Sequence, residues 1–150
     1  NALTVKARRL GEMKVFLVAS PDYLAERGEP KSPDELSGHL FIRDSNLRNQ
    51  RRWILKREGD EVSIDPKGSF TVNSARIACK LAVAGRGIAF TPLFASSHHL
   101  ASGELQAVLP EYEGEPSAVS AAYLEGPGLP RRLRSLIEFA ATDIRSSGVV

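Results

Sequence analysis

Residues 69–92 read SFTVNSARIACKLAVAGRGIAFTP, and the order of signals in this stretch decides the fold class. Ser69–Val72 is a strand-like run. Asn73 or Ser74 then offers a side-chain oxygen to the free N–H groups of a first helical turn. Ile77, Ala78, Leu81 and Ala82 recur at helical spacing, and Gly85 or Gly87 ends the helix. Ile88–Thr91 is a second apolar strand, stopped by Pro92.

The same alternation continues on both sides. Towards the N-terminus, Leu3, Val5 and Ala7 alternate with polar neighbours as in a strand. Met13–Ala19 is almost continuously apolar, as a strand buried on both faces is. It runs into Ser20-Pro21-Asp22, a cap, a first-turn proline and an acid, which predicts a helix carrying Tyr23 and Leu24 up to Gly28. Ser32-Pro33-Asp34-Glu35 repeats the device, with Glu35 placed for a capping box, and predicts a short helix ending near Gly38. Leu40–Arg43 reads as a strand and Asp44–Gln50 as a polar loop. Arg52–Arg57 and Glu61–Ile64 read as a hairpin around Glu58-Gly59-Asp60. Towards the C-terminus come a helix over Leu93–Ala101 closed by Gly103, a strand over Leu105–Leu109, an acidic connector over Glu111–Pro116 and a strand over Ala118–Leu124. After a turn at Gly126–Leu129, Pro130 opens a helix. There Leu133, Leu136, Ile137, Ala140, Ala141 and Ile144 mark one buried face. Strands alternating with helices predict an α/β fold with a mainly parallel sheet.

Composition fits a globular chain of 150 residues: 42% hydrophobic, 25% charged, formal net charge +2. No apolar run approaches the roughly 18 residues of a membrane span, and no export signal is visible in Asn1–Leu10. Cys79 is alone, so no internal disulfide forms, which suits a cytoplasmic setting. The charge extreme is Arg43–Arg57, where Arg43, Arg48, Arg51, Arg52, Lys56 and Arg57 face the single acid Asp44 early in the window. Trp53 is the only ring in this window up to Arg57, which argues against a stacking platform for single-stranded nucleic acid.

No catalytic, metal or cofactor motif is present. His98 and His99 are adjacent and point apart on a helix, Cys79 has no ligand at metal spacing, and Gly85-Arg86-Gly87 follows a helix instead of opening one as a phosphate loop does. The candidate chemistry lies at strand ends, since open α/β sheets bind ligands outside the carboxyl ends of their strands. Ala19-Ser20-Pro21, Arg43-Asp44-Ser45, Val72-Asn73-Ser74 and Thr91-Pro92 carry polar or turn-forming groups there. Three of these run straight into helices, whose N-termini suit a carboxylate or phosphate. The expected ligand-binding residues are therefore Ser20, Arg43, Asn73, Ser74 and Thr91, which converge if the sheet is parallel.

In this order and spacing the motifs resemble the effector-binding domain of LysR-type transcriptional regulators. The resemblance rests on Leu17–Leu24, on Ser32-Pro33-Asp34-Glu35-Leu36 with Gly38-His39, and on Val72-Asn73-Ser74 leading into Ala82–Ala89 and Pro92. Gly103-Glu104-Leu105, Val108-Leu109-Pro110 and Arg132–Phe139 complete it. It implies a type-II periplasmic-binding-protein-like fold: two Rossmann-like lobes, a central cleft for a small anionic effector such as a carboxylate, and no catalysis. Residues 20–116 are then one regulatory lobe. Residues 1–19 and 117–150 are the remainder of an incomplete second lobe, with Met13–Ala19 and Ala118–Leu124 as crossover strands. Thr91 stands where the family pattern suggests an aliphatic residue. The resemblance also implies a homo-dimer or tetramer in the cytoplasm, away from any membrane, with DNA bound only through a winged helix-turn-helix that this sequence lacks. A solute-binding protein of a transport system is the alternative on the same fold.

Overall fold

The computed structural model describes residues 5–47, 52–124 and 130–146. Its elements run β1 (Val5–Met13), β2 (Val15–Ala19), α1 (Pro21–Arg27), a 3-10 turn (Pro33–Gly38), β3 (Phe41–Asp44), β4 (Trp53–Arg57), β5 (Asp60–Ile64) and β6 (Gly68–Val72). Then come α2 (Ala75–Val83), β7 (Ile88–Pro92), α3 (Leu93–Ser102), β8 (Gln106–Val108), β9 (Glu113–Gly114), β10 (Ser117–Leu124) and α4 (Arg131–Ser146). Leu3, Thr4, the end of the polar loop and the Gly126–Leu129 turn lie outside the described residues.

Local chemistry accounts for most of these boundaries. Ser20 Oγ accepts from the Tyr23 N–H at 3.3 Å and caps α1, which Pro21 opens. The second Ser-Pro start behaves differently. Ser32 makes no side-chain cap bond, Glu35 Oε2 instead accepts from the Lys31 N–H at 2.9 Å, and the segment winds as a 3-10 turn. In the β4–β5 hairpin, Glu58 (φ 43°) and Gly59 (φ 94°) both take the left-handed conformation that a two-residue turn matching strand twist requires. The acidic connector holds a strand that its composition did not suggest. β9 pairs with β4 through Leu55↔Gly114 and Lys56↔Glu113. Only glycine fits at position 114, because a Cβ there would collide with the Phe90 ring.

The chain divides into two compact units, Lys14–Glu115 and Asn1–Met13 with Pro116–Val150. In the first, the main sheet has the order β6-β3-β7-β2-β8. β3 runs parallel to β6 and β7, whereas β2 runs antiparallel to both β7 and β8. The sheet is therefore mixed, not mainly parallel: residue patterns report strands but not their direction.

β2, β3 and β7 alternate their side chains between two cores. Val15, Leu17, Phe41, Ile88 and Phe90 face one layer with Trp53, Leu55, Tyr23 and Leu36. Val18, Ile42 and Ala89 face the other with Ala78, Cys79 and Ala82 of α2. Burial on both faces explains why these strands lack polar alternation. Trp53 stands edge-on to Phe41 (5.1 Å between centroids) and beside Phe90 (5.0 Å), which locks β4 onto the first layer.

Lys14 breaks what the sequence suggested was one strand over Met13–Ala19. Its carbonyl accepts from the Leu93 N–H at 3.0 Å and its ammonium pairs with Glu113 at 2.6 Å. Val15–Ala19 consequently belongs to the Lys14–Glu115 unit, and the division falls ahead of the Ala19–Ser20 boundary expected.

In the other unit, β1 and β10 form an antiparallel ribbon with a register shift between Arg9 and Gly11. Leu10, at that shift, is buried against Ile137 and Ala141 of α4, and Arg145 Nε donates to its carbonyl at 3.1 Å. The apolar stripe of α4 is only partly used. Leu136, expected on the buried face, is 60% exposed, as is Phe139 at 68%, because a two-stranded ribbon is too narrow to cover the whole stripe.

Two outcomes follow for stability. Gly87 has φ +145°, and a Cβ there would lie 2.5 Å from the Leu40 carbonyl oxygen, which accepts the Ile88 N–H that starts β7. Gly87→Ala should therefore lower the urea-measured unfolding free energy by about 1–3 kcal/mol. His39 sits in the Tyr23–Leu40 network: Tyr23 Oη accepts from the Leu40 N–H at 2.9 Å and lies 3.2 Å from His39 Nδ1. Burial holds His39 below its ordinary value of 6.5, and Arg27 adds to this against an opposing contribution from Glu35. The unfolded chain then binds the proton more readily. The stability His39 contributes is complete above its unfolded value and is lost as pH falls through the folded one. Urea midpoints should drop from about pH 7.5 to about pH 5.5, and His39→Gln should flatten that drop.

Candidate functional site

The parallel strands β3, β6 and β7 end on one side of the main sheet, and a braced turn joins two of them. Ser45 N–H donates to the Val72 carbonyl (2.7 Å), and Leu47 N–H to the Asp44 carbonyl (3.2 Å). Asn46 N–H donates to Asp44 Oδ1 (2.9 Å), the side-chain turn that Asp-x-Asn sequences favour. Asn46 Nδ2 then donates to the Asn73 carbonyl (2.6 Å), tying the end of β3 to the start of α2. Ser74 caps α2, its Oγ accepting from the Ile77 N–H at 3.5 Å.

Arg43 is the charge at this end. It shares a face of β3 with Phe41, and its Nη2 donates to Thr71 Oγ1 on β6 at 3.1 Å. Its Nε is buried and without a hydrogen-bond partner. Among the described residues no carboxylate lies within ion-pair distance of it. Asp44, next in sequence, alternates to the α2 face, where it is 4% exposed and adds to the upward push on Cys79.

Three of the five expected residues, Arg43, Asn73 and Ser74, therefore gather at one end of the sheet. Ser20 does not join them. The register Val15↔Pro92 to Val18↔Ala89 sends β2 the other way, so Ser20 lies at the opposite end, beside Gly85, buried and spent on capping α1. Convergence required a parallel β2, and β2 is antiparallel. Thr91 is at the correct end but fully buried under α2, with its hydroxyl 3.4 Å from Cys79 Sγ. It adds polarity to the core, where Cys79 satisfies it. Burial pushes the Cys79 thiol up, the Thr91 contact partly offsetting this.

Two participants were missed. Asn46 carried a signal, since Asp44-Ser45-Asn46 is an Asx-turn sequence. Thr71 carried none, because its role depends on β6 pairing with β3.

The other titratable clusters are structural. His99 Nδ1 lies 2.8 Å from Glu104 Oε2, which also accepts from Ser102 Oγ. These bonds hold the Glu104 carboxyl below its usual range and close α3 beside Gly103 in its left-handed conformation. Among the described residues no group of three His, Cys, Asp or Glu side chains is placed to hold a metal ion, and no helix is long and apolar enough to cross a membrane.

Comparison with known proteins gives a consistent result. A family model described as the LysR substrate binding domain matches residues 3–145. The HTH-type transcriptional activator AaeR of Escherichia coli (strain K12) is 32% identical over 131 residues, 87% of this chain and 42% of the relative. The HTH-type transcriptional regulator CrgA of Neisseria meningitidis serogroup C (strain 8013) is 30% identical over 142 residues, 93% of this chain and 47% of the relative. The chain thus spans under half the length of these relatives. Among solved structures, the CrgA regulatory domain superposes with a TM-score of 0.78 at 29% identity, covering 93% of this chain and 68% of that one. The full-length Vibrio cholerae virulence activator AphB gives 0.78 at 26% identity, covering 94% and 50%.

Ser74 is the member of the cluster whose structural share is separable. Ser74→Ala should cost about 0.5–2 kcal/mol in urea unfolding through the lost cap, and Ser74→Asp should retain most of that stability.

Proposed function

Since the chain belongs to the LysR substrate-binding-domain family, we propose that it is the ligand-sensing part of a transcriptional regulator. It binds a small anionic effector, a carboxylate in the first instance, at the Arg43–Asn73–Ser74 end of the main sheet. The observation that carries this reading is Arg43, a half-buried guanidinium with one buried N–H unpaired and no acid beside it among the described residues. An unneutralised guanidinium at the strand ends, on the Phe41 face of β3, is matched by a planar anion with two acceptor oxygens, and the N-terminus of α2 lies at the same end of the sheet. Asn73 and the Ser74 hydroxyl supply uncharged polar contacts for the rest of the molecule. Ser20 and Thr91 hold the fold and do not touch the effector.

Binding alone regulates nothing unless the two states of the protein differ in affinity for the effector. The response passes to DNA through the rest of the regulator and through a dimer or tetramer, which places the protein in the cytoplasm. No reaction is assigned to the site. The relatives above are transcriptional regulators, which favours sensing over solute transport on a related fold.

Calorimetric titration of the 150-residue chain with acetate, benzoate and succinate tests this. Saturable binding of one of them is expected. Arg43→Gln should weaken it by about tenfold or more, the worth of a hydrogen bond to a charged group. Unchanged affinity in both Arg43→Gln and Ser74→Ala would remove the site.

A further inference from the structure

Resting on that reading, we propose that Thr71 sets the affinity of the site by holding Arg43 in a position from which an arriving anion must take it. A carboxylate grips a guanidinium best along one edge, with two parallel N–H···O bonds. The edge formed by Nε and Nη2 is unusable as the side chain stands. Nη2 is donated to Thr71 Oγ1 at 3.1 Å, and Nε is enclosed with no acceptor. A buried donor without a partner is costly, whereas a hydroxyl acceptor is easily replaced by water. Thr71 is exposed on β6, the edge strand of the sheet, so solvent receives its hydroxyl when Arg43 leaves. Turning the guanidinium from Thr71 to a carboxylate satisfies both Nε and Nη2.

The backbone gives Arg43 no other freedom. β3 is paired on both sides, and the turn after it is braced by Asn46 to both Asp44 and Asn73. The moving part is the side chain alone. Thr71 therefore competes with the ligand and does not pre-position Arg43 for it. The two roles predict opposite signs.

The test is Thr71→Val, which keeps the β-branched shape of an exposed strand position and removes only the acceptor. Titration of this variant with the carboxylate that binds the unaltered chain should show affinity about two- to tenfold tighter, the worth of one net hydrogen bond. The urea-measured stability of the free protein should fall by no more than that same hydrogen bond is worth. Chloride, a single acceptor that cannot form two parallel N–H···O bonds, should gain less than the carboxylate. In 15N spectra of the arginine side chains, the Arg43 Nε–H should exchange slowly with water before the carboxylate is added and shift strongly once it binds. Weaker or unchanged carboxylate affinity in Thr71→Val, with the unaltered chain still binding, overturns the role given to Thr71 and leaves the effector site standing. Failure of all three carboxylates to bind either protein instead overturns the effector reading itself.

Discussion

The antiparallel pairing of β2 against β7 determines which groups share an end of the main sheet. With Val15 opposite Pro92, the start of β2 lies level with the carboxyl ends of β3 and β7. Lys14, the first residue of this unit, is held there by the Leu93 N–H and by Glu113. Arg43, Asn73 and Ser74 therefore stand at the same end as the residue by which the chain enters the unit. Ser20, α1 and the Tyr23–His39 contact are sent to the other end. Reversing one strand would exchange these two neighbourhoods without altering a single helix.

That topology depends on burial from both sides. β7 is buried along its whole length, and its side chains divide between a layer rich in aromatic rings and the small residues of α2. Ala78, Cys79 and Ala82 let α2 approach the sheet closely, and Gly87 lets the chain return past Leu40 with no Cβ in the way. Close packing of this kind leaves little room for a polar side chain, which is why the Thr91 hydroxyl ends against Cys79 and not at the surface. The same closeness gives Asp44 its burial, so the carboxylate nearest Arg43 in sequence is the one least able to neutralise it.

Much of the fold was legible because its signals are local. Ser20-Pro21 and Ser74 cap helices as their side chains allow, Glu58-Gly59 turns the hairpin, and Gly103 closes α3. What failed was non-local. Strand direction has no residue signature, so Ser20 was grouped with residues it never meets. β9 escaped notice because two residues in an acidic stretch, one of them glycine, carry no periodicity. Ser32 matched a capping pattern that Glu35 satisfied in another way. In the site, Arg43, Asn73 and Ser74 were readable as polar groups at strand ends. Thr71 was not, since an exposed threonine in a strand becomes relevant only when a neighbouring strand brings it an arginine.

The basic stretch Arg43–Arg57 shows why a charge count alone does not identify a partner. Arg48 and Arg51 lie outside the described residues. Of the others, Lys56 faces Glu61 across the hairpin at 3.6 Å, and Arg57 lies over the Tyr112 ring at 4.8 Å. Exposed pairs like these contribute little to stability, but they occupy charges that would otherwise meet phosphates. A surface that grips DNA needs many free cations in a row, because its affinity comes from the counterions they displace. A cavity-scale anion needs one guanidinium with its neighbours arranged around it. Lys56 is answered within the hairpin and Arg57 by the Tyr112 ring, while Arg43 is answered only by a hydroxyl. What sets Arg43 apart in this stretch is a half-buried guanidinium at the end of a sheet with no acid beside it among the described residues, which suits one small acid better than a polyanion.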